Sequence, residues 1–180
     1  MKNRSVILVL AAGLFACSCA TNNSSVLYSV TECPENIRER VVFFAQEYVQ
    51  RDTYFELGGR DLLDKEGPIE LDCSGLIVRA YQYAVKDTKY ALLFEDTNVS
   101  SLYTYFTILI DTPKPGDIIF MGDNTIFPTH MSIFVGMDND NIYFIDSTLK
   151  EADGIDGVSL RCYAKDDAKF LYFARLLVRL

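Results

Sequence analysis

From Pro34 onward the apolar positions follow first one period and then another. In PENIRERVVFFAQEYVQ, Ile37, Val41, Phe44, Ala45, Tyr48 and Val49 recur at helical spacing, and Pro34 and Glu35 suit a helix start. The stretch LDCSGLIVRAYQYA repeats the pattern with Leu76, Ile77, Ala80, Tyr81 and Ala84, which predicts a helix from Cys73 to about Lys86. A further helix is expected over Ser100 to Leu109. Residues 51–70 carry Gly58, Gly59, Gly67 and Pro68 and read as a surface loop. After Pro113 and Pro115 the pattern shortens. DIIFM, HMSIFVGM, NIYFIDS, GVSLRCY and KFLYFARLLVRL are short runs rich in β-branched and aromatic residues, parted by Gly, Asp and Asn. MDNDN, residues 137–141, supplies a hairpin turn between two of them. Helices followed by a series of strands predict an α+β domain with its N-terminal helices packed on an antiparallel sheet.

Ahead of this domain the composition differs. Lys2 and Arg4 precede the apolar run SVILVLAAGLFA, which is too short to cross a bilayer as a helix and reads as an export signal over residues 1–16. Residues 17–34 are small and polar and suit a tether, leaving 35–180 as the folded domain. LFAC resembles the lipobox of bacterial lipoproteins, with Phe15 bulkier than usual. Cys17 is the expected lipidated residue and Cys19 the second choice. An ordinary cleaved signal and an uncleaved anchor are the other readings of this segment. A diacylated cysteine would hold the exported protein to a membrane without spanning it.

The chain has 180 residues and 49% hydrophobic content, enough for one core. Its net charge of −8 leaves no basic cluster to neutralise phosphates, which argues against nucleic acid as a partner. The acidity also argues against attraction to anionic polymers or lipids as the main binding force. Five cysteines in an exported protein raise the question of disulfides, and Cys33 with Cys162 is one pairing that sequence alone does not settle. With no CxxC and a single histidine, a Cys/His zinc site is not expected, nor any other cofactor.

Cys73 stands at the predicted N-terminus of a helix, where unpaired N–H groups and the macrodipole favour a thiolate. His130 is the only imidazole in the chain and opens a predicted strand; Asp146 ends the next one. In a hairpin the two side chains can meet, and a carboxylate would then fix the imidazole for general-base work. Blander readings stand beside this one. Cys73 suits a buried thiol or a disulfide partner, His130 a core histidine and Asp146 a turn former with Ser147 as alternative. Asp72 and Ser74 suit helix caps, and Gly58 and Gly59 a tight turn.

DCSGLIVRAY, KPGDIIFM and HMSIFVG, in that order, resemble the DCSGL, PGD and HxxIxxG elements of the NlpC/P60 cysteine peptidases of bacterial cell walls, and LGG at 57–59 resembles that family's YxWGG element. The resemblance covers roughly residues 38–148. It implies a papain-like fold, Cys73 as nucleophile, His130 as base, Asp146 as the orienting residue, and substrate contacts from Asp72, Ser74 and Tyr54. It also implies peptidoglycan stem peptides as substrate, cut next to γ-D-glutamyl. Two positions depart from the family: Asp146 stands where a histidine is frequent, and Leu57 replaces the tryptophan while Tyr54 lies one position early, with Phe55 in its place. These departures keep two other functions open, an inactive lipoprotein that binds wall or partner, and an amidase or acyltransferase using the same site.

Overall fold

A computed structural model describes residues 28–123 and 127–180. The expected export signal and the cysteines proposed for lipidation, Cys17 and Cys19, lie outside the described residues. The first expected helix is α1, Glu35–Val49, and it buries Ile37, Val41, Ala45 and Tyr48 along one stripe. Helix α2, Cys73–Val85, buries Leu76, Ile77, Ala80, Tyr81 and Ala84, the five positions its periodicity singled out. Each large apolar side chain so buried contributes about 1.5–3 kcal/mol, so the stripe rather than helix propensity holds α2 in place.

The strands are β1 (Val30–Glu32), β2 (Thr53–Phe55), β3 (Ile69–Leu71), β4 (Ala91–Leu92), β5 (Thr107–Ile110), β6 (Ile118–Met121), β7 (His130–Met137), β8 (Asn141–Lys150), β9 (Ile155–Ala164) and β10 (Phe170–Arg179). An antiparallel sheet runs β1-β10-β6-β7-β8-β9, with β4 and β5 also paired to β10. The fold is α+β, as expected. One face of the sheet packs under α1 and α2 through Ile118, Phe120, Met131, Ile133, Ile145, Ala174 and Leu176. Strand alternation sends Ile119, Phe134, Ile142 and Phe144 to the other face, where Tyr163, Phe170 and Phe173 cover them.

Four differences from expectation have physical causes. The loop at 51–70 holds β2 and β3, a parallel pair in register Thr53↔Ile69 to Phe55↔Leu71; three-residue strands are too short to show a period. The helix expected over Ser100–Leu109 is a helical turn, Val99–Ser101 and a π-turn Leu102–Phe106, after which Thr107–Ile110 extends as β5 against β10. Thr107, Ile108 and Ile110 are β-branched, and ten-residue β10 offers them an edge that β6 does not occupy. Within the stretch read as a tether, β1 pairs with Leu177–Arg179, and Cys33 beside it is buried. The strand that was expected to end at Ser147 continues to Lys150, so Asp146 lies inside it and not at its tip. Cys33, Cys73 and Cys162 are all free thiols, the first buried and the last exposed, so the Cys33–Cys162 pairing is not formed.

Candidate active site

The N-terminus of α2 is fixed by a carboxylate and two glycines. Asp72 caps it, accepting the Gly75 N–H at 2.6 Å and the Ser74 hydroxyl at 2.7 Å on Oδ1. Its other oxygen accepts the Gly58 N–H at 2.8 Å, so one side chain ties the turn at 57–60 to the helix. A Cβ on Gly75 would lie 2.1 Å from the Gly59 carbonyl oxygen, and one on Gly59 would lie 2.8 Å from the Glu70 backbone. The glycines of LGG and DCSGL therefore serve a close approach of backbone to backbone. Asp72 and Ser74 are buried, with these bonds made to each other and to the main chain. Cys73, the first residue of α2, is half-buried.

The sheet brings the other two groups. The pairing Ile133↔Ile145 places Ser132 opposite Asp146, so His130, two residues away on the same face, is its diagonal neighbour. His130 Nε2 lies 2.6 Å from Asp146 Oδ2. The imidazole side chain is 23% exposed and the carboxylate fully buried. That leaves Nδ1 free of Asp146, and the ring shares its cleft with the Cys73 thiol. Burial works against a charged ring, but the hydrogen bonds to Asp146 and Cys73 and the charges there outweigh it, raising the His130 pKa to about 9. The buried Ser147 hydroxyl donates to the Leu71 carbonyl at 2.6 Å. That bond anchors β8 to the residue just before the cap, and so sets where the thiol stands relative to the imidazole.

Sequence reasoning missed Arg161, on β9. Its Nε donates to Asp146 Oδ1 at 2.8 Å, Nη2 donates to Oδ2, and the guanidinium lies over the Phe144 and Tyr163 rings at 5.2 and 5.4 Å. A carboxylate taken fully out of water needs a compensating cation, and the forked guanidinium supplies it with two bonds. The signal was an arginine inside the predicted strand GVSLRCY, next to the strand carrying Asp146.

Cys73 and His130 share a cleft of about 320 Å³, whose walls include Phe55, Leu57, Thr129, Thr148 and Leu149. Leu57 stands 83% exposed at the place of the family's tryptophan. Tyr54 does not line the cleft. It is 43% exposed and alternates with Phe55, which takes the lining position. A larger recess of about 630 Å³, bordered by Gln82, Tyr90, Phe94 and Arg179, holds neither thiol nor imidazole. Among the described residues no three His, Cys, Asp or Glu side chains gather as metal ligands.

A thiol at a helix tip, facing an imidazole held by a carboxylate on an antiparallel sheet, is the arrangement of the papain-like class. The NlpC/P60 family model matches residues 52–165, and the chain belongs to that family. No curated protein matches it. Among solved structures it is similar to Ly7917, in a crystal structure with the hydrolyzing product of MDP, at 11% identity and a TM-score of 0.50. The match covers 77% of this chain and 62% of Ly7917, and at that identity it speaks for the fold.

Replacing Arg161 by Met strands the Asp146 carboxylate, and urea unfolding is expected to show a loss of about 3–5 kcal/mol. Adding Asp146→Asn to Arg161→Met should recover a large part of it. A single variant as stable as the wild type would show that the pair carries no such burden.

Proposed function

We propose that this protein is a cysteine peptidase that hydrolyses peptidoglycan stem peptides next to γ-D-glutamyl, before a diamino acid. One observation carries the reading: His130 is bonded to a fully buried carboxylate and lines one open cleft together with the Cys73 thiol. Family membership supports the chemistry, and the Ly7917 structure, which holds the hydrolyzing product of MDP, supports the substrate class.

The reaction follows from the groups present. The Cys73 thiolate attacks the scissile carbonyl carbon, forming a C–S bond and an oxyanion. As the first residue of α2, Cys73 has an N–H without an intrahelical acceptor, which donates to that oxyanion. Such a donor is worth about 2.7–4 kcal/mol in acyl transfer. Collapse breaks the C–N bond, and the amine leaves with the proton of the His130 imidazolium. Water then gives its proton to His130 and attacks the thioester, releasing the acid and regenerating the thiolate. Asp146 holds Nε2, so that Nδ1 is the nitrogen that exchanges the proton. Asp72 and Ser74 shape the floor beside the nucleophile. Phe55 and Leu57 offer the substrate an apolar wall in place of the family's tyrosine and tryptophan.

The same reading places the protein outside the cytoplasm, anchored by acylated Cys17 and meeting peptidoglycan at the membrane face. Metabolic labelling with a fatty acid should mark the wild type and the Cys19→Ala variant and leave Cys17→Ala unmarked; label lost only from Cys19→Ala would move the anchor, and no label at all would remove it.

Purified protein incubated with an L-Ala-γ-D-Glu-diamino acid muropeptide should release a new amine, seen by mass spectrometry. Cys73→Ala should abolish release and His130→Ala should lower it by about 10²–10⁴-fold. No product from a protein whose Cys73 alkylates normally would point to another amide or acyl substrate, and an unreactive Cys73 would point to a binding role.

A further inference from the structure

A second recess, of about 240 Å³, shares the Thr129, His130 and Thr148 wall with the cleft and extends away from Cys73 towards β9. Three cations surround one ring there. Lys150 Nζ lies 4.9 Å from the Tyr163 centroid, Lys169 Nζ 5.3 Å and the Arg161 guanidinium 5.4 Å. Strand alternation gathers them: Asp146, Thr148 and Lys150 of β8 face the same side as Arg161 and Tyr163 of β9. Asp146 consumes the charge of Arg161, but Lys150 and Lys169 have no ion-pair partner among the described residues and are half-buried. The one acid in the lining, Asp123, is exposed.

The ring's hydroxyl adds a donor. It accepts from Lys150 Nζ and, at 3.0 Å, from Arg161 Nη1, so its own hydrogen must point elsewhere, and no acceptor takes it among the described residues. Two unneutralised ammonium groups and a free O–H thus converge in a chain whose net charge is −8. Among the described residues the two ammonium groups meet the Tyr163 ring and, for Lys150, its hydroxyl, but no carboxylate, which leaves room for a ligand of opposite charge to complete the site.

We propose that the recess formed by Lys150, Lys169 and Tyr163 binds a carboxylate of the leaving peptide fragment, on the far side of His130 from the acyl group held at Cys73. The inference rests on the peptidase reading and names the specificity of that site. Stem peptides carry free carboxylates beyond the scissile bond, and a carboxylate accepts from two ammonium groups and a hydroxyl at once. It makes the enzyme selective for substrates whose leaving fragment ends in an acid over those ending in an amide.

The test uses protein carrying Cys73→Ala, which binds without turnover, and calorimetry with L-Ala-γ-D-Glu-diamino acid ending either in a carboxylate or in the amide. The carboxylate form should bind about tenfold tighter. Adding Lys150→Gln with Lys169→Gln should reduce that preference to under about twofold with amide affinity unchanged, and Lys150→Arg with Lys169→Arg should keep it. The Arg pair also separates a charge effect from misfolding. Equal binding of the two peptides, a preference that survives the Gln pair, or no binding of either would overturn the proposal. Inorganic phosphate that binds the recess without any carboxylate preference among the peptides would assign it to a phosphate ligand instead. Failure of the peptidase reading looks different: no turnover by the wild type, with the carboxylate preference of the Cys73→Ala protein intact.

Discussion

The bond between His130 and Asp146 organises the cleft end of the sheet. A carboxylate with no exposure to water is tolerated only if its charge is met on every side, and here an imidazole meets one edge and a guanidinium the other. Those partners come from β7 and β9, the two neighbours of β8, so three adjacent strands must keep their register for one charge to be satisfied. A one-residue slip would turn His130 or Arg161 to the helix-covered face and leave Asp146 unpaired. The aromatic cluster of Phe144, Tyr163 and Phe170 lies on the face of Asp146 and Arg161, away from the helices, and keeps water from the guanidinium, which strengthens the pairing.

The thiol reaches this row through a separate set of contacts. Gly59 lies against Gly75, Asp72 holds both the turn and the helix, and Ser147 bonds to Leu71 immediately before the cap. Ser147 points to the opposite face from its neighbour Asp146. One strand therefore positions the Cys73 thiol with one residue and the His130 imidazole with the next. The other end of β6 repeats the logic: buried Asp117 of the PGD turn is gripped at both oxygens by half-buried Arg175, while Tyr81 donates to the Gly116 carbonyl at 2.6 Å. The family elements DCSGL, PGD and HxxI thus mark places where backbone and buried charge leave little choice of residue.

Much of this was legible in the amino-acid order. Helices α1 and α2 declared themselves because a stripe of Ile, Leu, Val and Tyr recurs at the helical period over three turns or more. The long strands β7 to β10 were visible because β-branched and aromatic runs alternate between turn residues. The trio of Cys73, His130 and Asp146 was found from chemistry, there being one imidazole to consider. What escaped depends on tertiary context. β2 and β3 are too short to carry a period. The end of the helical turn at Phe106 is decided by the free edge of β10. Arg161 could not be assigned until the pleat showed which way it faces, and Tyr54 and Phe55 exchanged expected places for the same reason. A strand's side chains have only two directions, and the sequence does not say which is inward until the sheet is assembled.

His130 is the only histidine, so its ring nitrogens give signals that no other residue overlaps in a ¹⁵N nuclear magnetic resonance titration. The imidazole is expected to keep its proton through neutrality and release it near pH 9, because the Asp146 carboxylate and the Cys73 thiol beside it outweigh its burial. An apparent pKa of about 9, falling when Asp146 is replaced by Asn, is the predicted result. A ring that titrates at or below its ordinary 6.5, and does so equally with Asn at position 146, would contradict the arrangement on which the rest is built.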